Sequence, residues 1–166
     1  MPLIQLETFI RAPIELCFDL SRSVDVHMAS TSITNERAVA GVTSGMMQLG
    51  DEVTWEATHL FMRQRLTSCI TEFKRPRLFV DEMQRGAFKH LRHQHVFEPQ
   101  EGGTLMIDAL DFASPLGILG CFVDWIFLDN YMKRFLILHN DYIKNMAENI
   151  SYQTKTEDAS LNQFLS

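Results

Sequence analysis

LFVDEMQRGAFKHLRHQHVFEPQEGGTLMIDALDF, residues 78–112, is the stretch on which the fold turns. It contains three runs of strand length, Leu78 to Met83, Phe88 to Phe97 and Thr104 to Phe112, broken at Arg85-Gly86 and at Pro99 to Gly103. Connections this short join antiparallel neighbours, because a parallel pair needs a crossover of a dozen or more residues. Upstream, Glu52 to Phe61 and Leu66 to Phe73 have the same character, and Gly41, Gly45, Gly50-Asp51 and Lys74 to Pro76 separate them. Asn35 to Phe112 therefore reads as an antiparallel meander.

Further out, Leu3 to Ile10 is a first strand that stops at Arg11-Ala12-Pro13, since proline ends a strand and is tolerated in the first turn of a helix. Ile14, Cys17, Phe18 and Leu20 then follow helical spacing, and Asp25 is placed to cap a second short helix through His27 and Met28. After Ser114-Pro115 the period becomes helical again: Ile118, Phe122, Trp125, Ile126, Met132, Phe135, Tyr142 and Met146 recur every three or four residues. Lys133, Arg134, Asp141, Lys144 and Glu148 fall mostly off this stripe, as expected of a long helix with one face on a sheet. Residues 151–166 are polar and without period, and read as a flexible tail beyond a single domain of residues 1–150. The predicted class is α+β: a curved antiparallel sheet of about six or seven strands wrapped around a long C-terminal helix, with two short helices after the first strand.

Composition narrows the function. The 166 residues are 46% hydrophobic, enough for one substantial core, and the formal net charge of -6 opposes nucleic-acid binding, which depends on lysine and arginine displacing phosphate counterions. Cys17, Cys69 and Cys121 are far apart and form no Cys-x-x-Cys pair, which suits a reducing cytoplasm. The start, MPLIQLETFI, lacks the pattern of a secretory signal, and Asp124, Asp129, Lys133 and Arg134 interrupt the most apolar window, so no transmembrane segment is expected. Monomer and homodimer both remain open.

The segments IRAPIELCFDL (10–20), GDEVTWEATH (50–59) and PRLFVDEMQRGAFKHLRHQHVFEPQEGGTLMIDALDFASPLGILG (76–120) resemble the START-type SRPBCC superfamily, whose helix-grip fold is shared with birch-pollen-allergen-like proteins. The resemblance covers Leu3 to Ile150 and is to a bacterial branch described as cyclase/dehydrase-like, ligand-binding or cell-division-inhibitor-like. It implies a fold and a hydrophobic cavity rather than a reaction, because the superfamily includes lipid and hormone carriers, aromatic polyketide cyclases and chaperone activators.

The chemistry concentrates in His90-Leu91-Arg92-His93-Gln94-His95. On a strand, His93 and His95 share a face with Leu91 and Phe97. If Phe97 opposes Thr104 across the next turn, His95 opposes Met106 and His93 opposes Asp108. An imidazole facing a carboxylate suits both a general base and a structural pair. Asp81 shares its face with Phe79 and Met83, and falls near Leu91 or beside His90 depending on whether the turn has three residues or two. Trp55 and His59 share a face of the preceding meander, and Phe122 and Ile126 lie on the helical stripe opposite. His-x-His also places two imidazoles on one side as metal ligands, but the convergence of a third from His59, Asp81 or Asp108 is not fixed by sequence, so no metal is assigned. There is no phosphate-binding glycine loop, no Gly-x-Ser-x-Gly elbow and no other cofactor motif.

The expected function is binding of a small, largely apolar ligand, lipid-like or polycyclic and aromatic, with His93, His95 and Asp108 as its polar end. Trp55, His59, Phe79, Asp81, Met83, Met106, Phe122 and Ile126 complete the expected pocket. One alternative is a cyclase- or dehydratase-like enzyme using His93 and Asp108 as a general base. Another, suggested only by the resemblance, is a cell-division or stress interaction adaptor.

Overall fold

The computed structural model describes residues 3–59, 62–113 and 123–164. Strand β1 (Leu3–Ile10) gives way at Pro13 to α1 (Ile14–Ser21), where Pro13 is the N-cap and its carbonyl accepts from the Cys17 N–H at 3.1 Å. Helix α2 (Val24–Ser30) is capped by Ser23, whose side chain accepts from the Val26 N–H, and not by Asp25 as the sequence suggested. Asp25 is the second residue of the helix, where its carboxylate accepts from the Gly45 N–H at 2.8 Å and ties down the loop after the second strand. The rest of the sheet follows as β2 (Arg37–Gly41), β3 (Glu52–His59), β4 (Met62–Lys74), β5 (Leu78–Arg85), β6 (His90–Gln100) and β7 (Gly103–Ala113), and α3 (Val123–Phe164) closes the chain.

The seven strands form one antiparallel sheet in the order β1-β7-β6-β5-β4-β3-β2, so β1 crosses to pair with the last strand and the remainder is a meander. Register shifts in β4/β5 and β2/β3 mark bulges, which bend a sheet and increase its twist. Helix α3 packs on β1, α1 and α2, giving the expected curved sheet and long helix.

Two registers differ from expectation. Strand β6 continues through Pro99, which pairs opposite Thr104, and the turn tightens to Glu101-Gly102, with Gly102 at φ 81° where a side chain would be strained. Phe97 therefore opposes Met106 and His95 opposes Asp108, while His93 opposes Leu110, a shift of two residues that leaves every side chain on its expected face. Asp81 lies directly opposite His93, not near Leu91 or His90, because the β5–β6 connection spans Gly86 to Lys89. A third difference is the polar segment after residue 150, which continues α3 to Phe164. There the Thr154, Thr156 and Ser160 hydroxyls donate to the carbonyls four residues earlier, of Ile150, Tyr152 and Thr156, the local back-bonds such side chains make on a helix, in a mostly exposed segment.

The core is divided. One cluster, around Ile10, Phe18, Phe97, Met106 and Ile143, fills the end beneath α1, where Phe18 meets Phe73, Phe79 and Phe97 edge-on at 5.4–5.5 Å. The other, around Ile4, Leu110, Phe112 and Leu136, fills the opposite end. No helix among the described residues is long and apolar enough to cross a membrane.

Candidate functional site

Between the two apolar clusters the inward-facing rows of β1, β6 and β7 each carry polar residues. On β1 the row Ile4, Leu6, Thr8, Ile10 is interrupted by Thr8; on β7 the row Met106, Asp108, Leu110 is interrupted by Asp108; on β6 the interruption is His93 and His95. Helix α3 contributes His139 and Asn140 between Leu136 and Ile143. The result is a polar layer across the core.

Asp108, fully buried, is its hub. One carboxylate oxygen lies 3.0 Å from His93 Nε2 and 2.7 Å from His95 Nδ1, and the other accepts from Asn140 Nδ2 at 2.7 Å. The His95 approach is too bent for a directed hydrogen bond, so this contact is chiefly electrostatic. Asn140 also reaches Thr8 Oγ1 at 3.3 Å. Burial alone would favour a neutral Asp108, but His95 and the hydrogen bond from His93 override it and hold the carboxyl well below the ordinary carboxylate range. Asp108 is thus ionised at neutral pH. Burial, reinforced by adjacent His93, lowers the pKa of His95 despite the pull of Asp108. The His95 ring is pinned between Phe79, stacked at 4.2 Å, and His93 at 3.8 Å.

A second polar group stands across the cavity. His27 Nε2 is 3.3 Å from Glu36, and its ring lies 4.3 Å from Trp55 and 5.0 Å from His139. The Ser30 hydroxyl donates to the His27 carbonyl at 2.7 Å, so at 2.6 Å from His139 Nδ1 it must accept, which fixes the His139 proton on Nδ1. Burial, then the neighbouring His27, pushes the His139 pKa well down. Burial also opposes charge on His27, but Glu36 outweighs it and raises the value.

These directions give a pH dependence. His95 and His139 bind protons more weakly folded than unfolded, so their contribution is present above the ordinary imidazole pKa near ~6.5 and is lost as pH falls below it. His27 acts oppositely: its contribution is present below that value and is lost as pH rises through its higher folded pKa. In scanning fluorimetry between pH 7 and pH 5, His139→Gln therefore shifts the change in thermal midpoint toward greater stability at low pH and His27→Gln shifts it toward lower stability. An unchanged slope in His139→Gln would show that this imidazole is not held neutral by the fold.

A cavity of about 190 Å³ lies between sheet and helix. Its walls are mainly apolar, including Val53, Ala57, Leu66, Ile70, Leu110 and Leu136, and it is also lined by both polar groups. Of the residues expected from sequence, Trp55, Phe79, Asp81, His93 and His95 line it. Asp108 sits behind the imidazoles, fully buried. Met106 is not in the wall: the two-residue register shift carries it into the α1 cluster, where the Ser21 hydroxyl meets its sulfur at 3.5 Å. Met83 is also outside the lining, crowded against Gly86, where a Cβ would meet its sulfur at 2.6 Å. Phe122 lies outside the described residues, as do the side chains of His59 and Ile126.

Sequence reasoning missed His27, Glu36, Ser68, His139 and Asn140. The available sign was polarity at apolar positions: His139 and Asn140 fall on the helical stripe between Leu136 and Ile143, as Thr8 falls in the strand alternation. Ser68, 1% exposed, lines the cavity with an Oγ that has no hydrogen-bond partner among the described residues.

No family model and no curated protein matches the sequence. Solved structures do. An aromatase/cyclase from Streptomyces is 12% identical with a TM-score of 0.69, covering 89% of this chain and 93% of its own. A Thermus thermophilus protein is 16% identical with a TM-score of 0.67, covering 86% and 97%. A START superfamily protein from Mycobacterium smegmatis is 11% identical with a TM-score of 0.59, covering 92% and 98%. At such identities the likeness speaks to architecture alone, and on that evidence this chain has the START-type helix-grip fold.

Proposed function

We propose that the protein binds a small, largely apolar molecule, lipid-like or polycyclic and aromatic, in the cavity between sheet and α3. The observation that carries this reading is the cavity itself: apolar walls that converge on a few oriented polar groups, the arrangement typical of small-molecule sites. The apolar body of the ligand lies along Val53, Leu66 and Ile70, and a hydroxyl or carbonyl at one end meets His93, His95 or the orphaned Ser68 Oγ. The aromatase/cyclase and START superfamily neighbours are consistent with such a cavity. The test is titration with 2-naphthol and with decanoic acid followed by calorimetry. Saturable one-to-one binding of either supports the reading; no uptake of any apolar probe contradicts it.

The contact between His93 and Asp108 favours a second reading, a cyclase- or dehydratase-like enzyme. With His93 Nε2–H donating to Asp108, Nδ1 keeps a lone pair and is the atom that would take a proton from carbon beside a carbonyl. Hydrogen–deuterium exchange at the α-carbon of a bound aryl ketone measures that step. Loss of about 10²–10⁴-fold in His93→Ala is expected of a general base. Exchange at the wild-type rate in the variant would leave binding as the only surviving reading.

A further inference from the structure

We infer that Asp81, His93 and His95 form a binding site for a first-row divalent transition metal at the polar end of the cavity. The sequence left a metal unassigned because no third ligand was fixed, and the register supplies one. Asp81 is the direct cross-strand partner of His93, and His95 follows two residues along the same face, so two adjacent strands bring a carboxylate and two imidazoles together. One ligand atom from each of the three lies within 4.8 Å of the others. Two imidazoles and one carboxylate are a donor set for zinc, iron or cobalt rather than for magnesium or calcium, which prefer oxygen.

What lies behind these side chains strengthens the assignment. Metal-bound histidines usually turn their second nitrogen to a carboxylate, which fixes the ring and its tautomer. Here the His93 Nε2–H donates to Asp108, leaving Nδ1 as the coordinating lone pair of that ring, and His95 turns its Nδ1 to within 2.7 Å of the same carboxylate, which places its Nε2 on the side away from Asp108. Asn140 of α3 donates to this outer carboxylate and also to Thr8 of β1, and Phe79 holds the His95 ring by stacking. The carboxylates of Asp81 and Asp108 together match the two positive charges of the ion, so the site brings no uncompensated charge into the core. With three protein ligands, further coordination positions remain for a ligand in the cavity.

The inference does not depend on an apolar ligand: a protein that binds naphthol but no metal leaves the proposed function standing and overturns this assignment alone. The experiment titrates chelator-treated full-length protein with Co(II), followed by its visible d–d absorption, and then displaces it with Zn(II). The expected result is one ion per chain. Asp81, half-buried and outside the hydrogen-bonded hub, provides the variant least damaging to the fold. Asp81→Asn weakens binding at least about tenfold and Asp108→Asn weakens it about 10- to 100-fold, as loss of an outer-shell carboxylate does. His93→Gln abolishes the d–d bands, with folding checked by circular dichroism. Absence of stoichiometric binding to wild-type protein, or an affinity unchanged by Asp81→Asn, overturns the site.

Discussion

Asp108→Ala destabilises the protein by about 3–5 kcal/mol, the range expected when one member of a buried, hydrogen-bonded charge group is removed. The carboxylate is fully buried and is approached by His93 and His95 from one side and by the Asn140 amide from the other. Without it, His93 and Asn140 lose their shared acceptor between two apolar clusters and His95 loses the neighbouring charge, and a buried donor left unpaired costs about 1–3 kcal/mol by itself. Asp108→Asn retains the shape and one acceptor oxygen but presents an NH₂ to one of the same donors, so its loss is smaller. Because the Asp108 pKa is depressed in the folded state, its contribution is present above the ordinary carboxylate pKa and is lost as pH falls toward the folded value. The wild-type advantage over Asp108→Ala is therefore full at pH 7 and shrinks on strong acidification. Urea unfolding at pH 7 and again after strong acidification measures both effects. An Asp108→Ala variant within about 1 kcal/mol of wild type at pH 7 would mean that the polar layer is not organised around this carboxylate, since such surface-like values belong to sites without buried partners.

Ala57→Trp has the second large effect, on binding rather than stability. Ala57 is 5% exposed, lies between Trp55 and His59 in sequence on β3, and lines the cavity. An indole there occupies much of a space of about 190 Å³ while the polar layer and both clusters keep their residues. Affinity for an apolar probe falls at least about 100-fold, or ~2.7 kcal/mol. The comparison variant is Met106→Leu: Met106 is fully buried in the α1 cluster and does not line the cavity, so a near volume-conserving change there leaves affinity unaltered and costs under about 1.5 kcal/mol of stability. Calorimetric titration of both against wild type separates cavity filling from general core disturbance. Equal affinity in Ala57→Trp would place the binding site elsewhere.

Much of this architecture was legible in the sequence because the periods are local properties. Alternation in residues 78–112 and the three-to-four spacing within α3 (Val123–Phe164) each follow from how a single element buries one face, and the faces of His93, His95 and Asp108 were read correctly even though the register was off by two. That register was hidden because it depends on whether Pro99 ends the strand or pairs within it, and pairing won. The site was less legible than the fold. The meeting of Asp81 with His93 depends on the length of one turn, and those of Asp108 with Asn140 and of His139 with Ser30 cross 32 and 109 residues of chain. Packing of α3 creates those contacts, and no pattern within one element encodes them. The helix beyond residue 150 was missed for a different reason: it carries no apolar stripe, which is the feature that periodicity detects.

The central claim is that the space between sheet and α3 receives a small apolar molecule. Native mass spectrometry of wild-type and Ala57→Trp protein, purified in parallel and incubated with 2-naphthol and with decanoic acid, tests it most directly. The predicted result is a one-to-one complex in wild type that denaturation releases and that is absent or nearly so in Ala57→Trp. No complex with either probe in wild type, or the same complex in both proteins, would contradict the account.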